Sequence, residues 1–268
     1  MRPMKKKVAR SSGIPLKKQF GQHFLREQIF VDHMIDAVAL DESSSVFEIG
    51  CGDGFLTKSI LRSPLQRLWV FEIDPSWAQH VATVYADPRM TVVTENILDV
   101  DFSRFESYKP WILLANLPYQ ITFPLLYRLV QHRSLFKEGV VMLQEEVAQK
   151  ILKTSGRGYG FASLYLQHYF RWRALDKVPA SAFYPPPKVV SRLLYFAPLP
   201  EPEPIPQEKD FWIFIKRCFS QPRRILNNNL VSFHYDLSKI PLELLQLRAQ
   251  QLSMEELITL WKKLTYTT

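Results

Sequence analysis

The sequence is poor in the features that would point to a metal site, a membrane span or a secreted scaffold. It holds two cysteines in 268 residues, Cys51 and Cys218. They lie far apart and fit no metal-ligand spacing, so reduced thiols in a reducing compartment are expected. The six histidines form no ligand pattern either, and no metal is expected. No run approaches the roughly 20 apolar residues that span a bilayer. The start, "MRPMKKKVARSSG", is basic without the apolar core of a secretory signal, and its three adjacent lysines and early proline make a poor amphipathic transit helix. A cytoplasmic protein is the expectation. Acid is missing from residues 1–18, which carry Arg2, Lys5, Lys6, Lys7, Arg10, Lys17 and Lys18, seven positive charges against a net +8 for the whole chain. The basicity is therefore mostly a tail. A solvated, flexible arm is expected there, and phosphate binding is compatible with it.

What is present is enough apolar content, 47%, to bury a large core. Strand-like and helix-like runs alternate: "SVFEIG" then "FLTKSILR", "LWVFEI" then "SWAQHVATVYA", "MTVVTE", "WILLAN" then "FPLLYRLVQHR", "GVVMLQ" then "EEVAQKILK". That order predicts an α/β fold with a mainly parallel sheet covered by helices on both faces. Two later runs, "RWRALDKV" and "VVSRLLYFA", read as closing strands. The stretch "APLPEPEPIPQ", residues 197–207, holds five prolines and reads as a semi-rigid linker. Beyond it the apolar spacing is helical, and Ser253 with Glu256 fits a capping box. Three parts are expected: a basic arm over 1–18, the α/β domain over 19–200 and a small helical domain over 201–268.

"VFEIGCGDGFLT" sets Gly50, Gly52 and Gly54 between the first strong strand and a helix, where open α/β sheets bind cofactors. A tight turn needs only one glycine, and three alternating ones favour a ligand. The spacing is not the dinucleotide pattern, and no lysine followed by serine or threonine makes it a P-loop. The next strand ends on Glu72, eighteen residues past Gly54, with Asp74 just after it. An acid at that place can accept both hydroxyls of a ribose. "VVTENILDVDF" is read as ending the third strand on Glu95 and Asn96, near a cofactor's adenine.

"ANLPYQIT" follows the fourth strand and suits one chemical problem, methylation of the exocyclic amine of adenine. That nitrogen's lone pair is delocalised into the ring, so it is a poor nucleophile. Asn116 Oδ1 and the Leu117 carbonyl can accept its two protons and hold the lone pair toward a methyl group. Pro118 fixes φ, and Tyr119 offers a face for the base. A proline turn with a core tyrosine is the plain structural alternative.

These residues resemble the KsgA-type family of small-subunit ribosomal RNA adenine dimethyltransferases, in the ordered series "KKQFGQHFL", "EIGCGDGFLT", "NLPYQITFP", "MLQEEVAQKI", "GRGYGFASLYLQHY", "VPASAFYPPPKVVSRLL" and "CFSQPRRILNNNL". The resemblance covers nearly the whole chain. It implies a Rossmann-like class I methyltransferase sheet with a small C-terminal helical domain, S-adenosylmethionine as methyl donor, and dimethylation of N6 of two adjacent adenosines in the terminal hairpin loop of small-subunit rRNA. It further implies that His23, Leu25, Gly50, Gly52, Glu72, Asn96 and Asn116 bind the cofactor. Asn116, Leu117 and Tyr119 would meet the target, with Phe183 stacking on the base opposite Tyr119. Partners are the rRNA and the assembling small subunit, met by a monomer.

Two departures stand out: Glu95-Asn96 where the family usually has Gly-Asp, and Cys51 where it commonly has proline. Consecutive strand residues face opposite ways, so only one of Glu95 and Asn96 is expected at the cofactor, and Asn96 is favoured. For RNA the candidates are Arg157, Lys188, Arg192, and Arg223 with Arg224, the last two read as starting a helix. Each is equally readable as a surface charge. The competing readings are a large-subunit rRNA methyltransferase of the erythromycin-resistance type and a non-catalytic assembly or transcription factor on the same fold.

Overall fold

Five consecutive residues with every side chain buried, Ser45–Ile49, form β1, an interior strand of the protein's main sheet. In the computed structural model, which describes residues 10–17 and 20–265, it has six companions. These are β2 (Arg67–Phe71), β3 (Met90–Val93), β4 (Trp111–Asn116), β5 (Phe136–Gln144), β6 (Phe170–Val178) and β7 (Ser191–Pro198). The spatial order is β3-β2-β1-β4-β5-β7-β6. Strands β1 to β5 run parallel, while β7 lies antiparallel to β5. The chain leaves β1 for β2 on one side and returns to β4 on the other, so a crevice opens at the carboxyl ends of β1 and β4, the ligand position in such sheets.

Helix α1 (Gln28–Asp36) precedes β1, and α2 (Phe55–Arg62), α3 (Pro75–Val84) and α4 (Thr122–Gln131) occupy crossovers between parallel strands. Burial on both faces explains the near-continuous apolar strands. On one face Val46 of β1 and Ile112 and Leu114 of β4 pack with Val31, Met34 and Ile60 of α1 and α2. On the other, Phe47 stacks on Trp111 at 4.2 Å between ring centroids and meets Phe105 edge-on at 4.8 Å. Glu48 alternates onto the first face and is fully buried, and neither of its carboxyl oxygens meets a hydrogen-bond partner. Helix α3 begins by the usual chemistry: Asp74 caps it by accepting from Ser76 N–H at 3.1 Å, and Pro75 opens the first turn.

The chain forms two compact units. The first runs through Ala148 and includes Arg171–Pro198; the second joins Gln149–Phe170 to Leu199 onward. The second therefore takes up a segment that precedes the proline-rich stretch. Its core is aromatic: Trp212 meets Tyr165 edge-on at 4.9 Å, and Phe214 lies 5.4 Å from Trp261. Asn229, buried, ties Cys218 and Gln221 carbonyls together. Ser253 and Glu256 make the reciprocal capping bonds, at 3.2 and 2.7 Å, before the helix Met254–Thr265.

Most of the expected basic arm, residues 1–9 and 18, lies outside the described residues. Residues 10–17 are not a free arm. Arg10–Ser11 pairs with Ile14–Pro15, and Lys17 Nζ bonds the buried Asp74 at 2.8 Å.

Candidate active site

The carboxyl ends of β1, β2, β3 and β4 surround a cavity of about 260 Å³. Its walls bring together His23, Gly50, Gly52, Glu72, Glu95, Asn96, Asn116, Leu117 and Tyr119, all from the first unit. The glycine turn explains itself sterically. Gly50, Gly52 and Gly54 all have φ in the left-handed region, at 75, 52 and 84°. A Cβ on Gly52 would sit 2.7 Å from the Phe24 ring, and one on Gly54 2.2 Å from Tyr85. Only glycine lets the backbone pass so close, and the three amides are spent within the fold, Gly50 N–H on the Phe71 carbonyl, Gly52 N–H on Glu72 and Gly54 N–H on the Cys51 carbonyl.

Glu72 is the buried anchor of this wall. Its Oε2 accepts from Gly52 N–H at 3.1 Å and from the Cys51 thiol at 3.8 Å, and its Oε1 from Asp74 N–H at 2.9 Å. Burial raises the Glu72 pKa above the usual carboxylate value, against the lowering effect of the Asp74 and Gly52 amides. Each oxygen keeps lone-pair capacity for a further donor. The Cys51 thiol is pushed up by burial and then by the neighbouring carboxylates Glu72 and Glu48, which makes it a poor nucleophile.

The described N-terminal residues close the turn from outside. Asp53 Oδ2 accepts from Arg26 at 2.6 Å and from Ser11 Oγ at 2.7 Å. Burial alone would raise the Asp74 pKa, but bonds from Lys17, Ser76 and Gln22 hold it below its ordinary value. Apart from the local cap on Ser76, none of these partners is evident from sequence, because each remaining pair is separated by 27 to 57 residues.

On the β4 side, Asn116 Nδ2 donates to the His23 carbonyl at 3.2 Å. Among the described residues no donor reaches its Oδ1, so the amide is held by its nitrogen with the oxygen left as an acceptor. Leu117 is buried and its N–H continues the sheet to the Met142 carbonyl at 3.1 Å. Tyr119 lies half-buried, its hydroxyl 2.8 Å from the buried Ser191 Oγ and its ring stacked on His23 at 6.1 Å. Burial raises its pKa. The His23 Nδ1–H donates to the Pro185 carbonyl at 2.7 Å.

Several expectations are corrected. Strand β3 ends at Val93, so Glu95 and Asn96 lie in a bend where alternation no longer applies, and both line the cavity. Asn96 bonds Asp99 at 2.8 Å and Leu98 N–H at 3.2 Å, and Glu95 pairs with Arg104 at 3.2 Å. Leu25 does not line this cavity; it lines a smaller adjoining one with Cys51, Gly52 and Asn116. Phe183 is 4% exposed, packed in the core and off the cavity wall, because its pairing with Leu25 turns it inward. Its stacking role is not the geometry found here. Arg192 is bound to both Glu145 oxygens and to the Leu175 carbonyl, so its guanidinium is committed within the fold. Arg223 and Arg224 are exposed in the turn before the helix Leu226–Leu230 and do not start it. Lys188 is exposed in the first unit, and Arg157 is exposed between two left-handed glycines in the second.

With this geometry described, comparison with known proteins is specific. Residues 14–264 match the family model of ribosomal RNA adenine dimethylase. The protein called ribosomal RNA small subunit methyltransferase A in Syntrophotalea carbinolica is 34% identical over 248 residues, 90% of this chain and 93% of that one. The protein of the same name in Streptococcus pneumoniae is 34% identical over 236 residues, covering 85% and 81%. Among solved structures, a dimethyladenosine transferase from Plasmodium falciparum superposes with a TM-score of 0.72 at 23% identity, covering 90% of this chain and 97% of that one. The 23S rRNA methyltransferase ErmE does so at 0.71 and 19%, covering 91% and 100%. At these identities both structures show the shared fold.

Proposed function

The chain belongs to the ribosomal RNA adenine dimethylase family, and from that premise we propose that it dimethylates N6 of two adjacent adenosines in the 3′-terminal hairpin loop of small-subunit rRNA. The methyl donor in this reading is S-adenosylmethionine, and the setting is small-subunit biogenesis in the cytoplasm, carried out by a monomer. Small-subunit specificity is supported by the names of the curated relatives; the fold by itself is equally like a 23S rRNA enzyme.

The residues present fit the cofactor. The turn at Gly50 and Gly52 has no Cβ to fill the space beside its amides, and Glu72, buried and held by backbone donors, is an aligned acceptor for two ribose hydroxyls. Gly50 and Gly52 would hold the amino-acid end, Glu72 the ribose and Asn96 the adenine, with His23 and Asn116 around them. When bound, the cofactor supplies an electrophilic methyl group on a sulfonium.

The chain's own work is positional. The observation that carries the reading is Asn116: its nitrogen is tied to the His23 carbonyl at 3.2 Å, which leaves its oxygen to accept from an adenine amine. With the Leu117 carbonyl as second acceptor, the lone pair on N6 is turned out of conjugation and toward the methyl group. Such fixed acceptors also stabilise the charge that develops on nitrogen, without reorganisation during reaction. Tyr119, its hydroxyl anchored on Ser191, offers a ring that stacks on the extruded base. Arg157, Lys188, Arg223 and Arg224, all exposed, are among the cations available for phosphates.

The test is single-turnover transfer of labelled methyl to under-methylated small subunits, followed by mass mapping of the rRNA. Two dimethylated neighbouring adenosines near the 3′ end are expected. Methylation of large-subunit rRNA alone, or no transfer, would replace this reading with one of its competitors.

A further inference from the structure

The loop "YPPPKVV", Tyr184–Val190, carries side chains that the proposed chemistry does not use. Tyr184 is 45% exposed, Val189 42% and Val190 41%, an unusual concentration of open apolar surface in seven residues. The loop is also held rigidly. Tyr184 pairs with Phe24, the Pro185 carbonyl accepts from His23 at 2.7 Å, and the Val190 carbonyl accepts from Glu145 N–H at 3.0 Å. Pro185, Pro186 and Pro187 fix three successive φ angles.

The register decides what this loop shows to solvent. Residues directly opposite in an antiparallel pair share a face. Phe183 opposes Leu25 and is buried with it in the core, whereas Tyr184 opposes Phe24, which lines the cavity. Tyr184 thus shares the face of Phe24, and the residue after it, Pro185, is bonded to His23, whose ring stacks on Tyr119. The backbone that carries the ring is held by strand pairing while the ring itself is uncovered, so a partner that stacks on it has no loop left to order.

A base drawn out of a helix leaves its neighbour with an open face, and proteins that deform nucleic acids commonly fill such gaps with apolar or aromatic side chains. Resting on the reading of the cavity as the receiver of a target adenine, we propose that Tyr184 stacks on the RNA base adjoining the extruded adenosine, with Val189 and Val190 packed beside it. An RNA partner is favoured over a protein one because the loop is bonded to the cavity-lining His23 through the Pro185 carbonyl and carries Lys188 with no acid between Phe183 and Ser191.

Replacing Tyr184 with the photo-crosslinker p-benzoylphenylalanine and irradiating the complex with under-methylated small subunits tests the contact. The crosslink is expected on a nucleotide next to a methylated adenosine. A crosslink to a ribosomal protein, or to a nucleotide that adjoins neither of the two adenosines, overturns the proposal. Tyr184→Ala is expected to lower kcat/KM for small subunits about 5- to 150-fold, the range of one base–aromatic stack, while Tyr184→Trp retains most activity. Binding of S-adenosylhomocysteine should stay unchanged in both, which shows that the site is folded. If Tyr184→Ala stays within about twofold of the unmodified chain, Tyr184 does not stack on RNA. Failure of the functional reading itself is separate, because then the unmodified chain would transfer no methyl to small subunits.

Discussion

Two walls of one cavity are built in opposite ways. The wall made by the glycine turn, Glu72 and Asn116 is buried and cross-braced: left-handed glycines, a carboxylate held by two amides, and a side-chain amide tied to the His23 carbonyl. The wall made by Glu95 and Asn96 lies beyond the end of its strand, and Glu95 pairs with Arg104 through side chains that are 42–44% exposed. The difference teaches where geometry matters. In the proposed reading, the acceptors that would aim a lone pair or hold a ribose are fixed by backbone, whereas a contact to a flat heterocycle edge would tolerate substitution, which fits the change from Gly-Asp to Glu-Asn in this chain.

The largest expected effect breaks the rigid wall at its reacting end. Asn116→Ala should keep the fold but slow single-turnover methyl transfer, at saturating cofactor, by about 10²–10³, the usual loss for one preorganised charge-stabilising contact. Near-normal transfer would remove the distinction between the walls.

A second effect comes from beneath that wall. Burial, with a smaller push from the neighbouring Glu72, raises the Glu48 pKa from 4.5 to about 8. Between these values the unfolded chain has lost the proton while the folded chain keeps it, so stability should fall as pH rises from about 4.5 to about 8 and level off above. The fall is on the order of a few kcal/mol. Glu48→Gln should flatten that part of the profile in denaturant titrations at several pH values. An unchanged slope would assign the pH dependence to other groups.

Removing Glu72 itself should weaken S-adenosylhomocysteine binding about 10- to 150-fold in Glu72→Ala, since hydrogen bonds to a charged group are worth about 1.5–3 kcal/mol. Because its pKa is raised, affinity should start to fall, on acidification, at a higher pH than an exposed glutamate would dictate. Calorimetric titration across pH reads both.

The smallest effect sharpens the comparison from the other side. Asn96→Ala should weaken cofactor binding by about 2- to 10-fold, the size of one neutral hydrogen bond, and Glu95→Ala by less, because Arg104 already occupies that carboxylate. The reverse ranking in the same titration would make Glu95 the contact.

How much was legible in advance depended on the distance between partners. The α/β alternation, the glycine turn and the acid on the following strand are local patterns, and the observed sheet follows them. The corrections concern facing and partnership. Glu95 and Asn96 share a wall because the strand stops two residues early, which alternation cannot foresee. Arg192 reads as a phosphate ligand until Glu145, 47 residues away, is found holding it. Phe183 and Tyr184 are adjacent in sequence, and only pairing with Leu25 and Phe24 shows which is core and which is rim.

By itself the sequence determined the class of chemistry, because left-handed turns require glycine, ribose hydroxyls call for a carboxylate and a poor amine nucleophile needs acceptors, and each demand is met by residue types close together along the chain. Only the tertiary structure decided which atoms are free to act. The His23 carbonyl that takes the Asn116 nitrogen lies 93 residues away and the Ser191 hydroxyl that anchors Tyr119 lies 72. Contacts at such separations are set by strand order and register, which residue spacing along the chain does not encode.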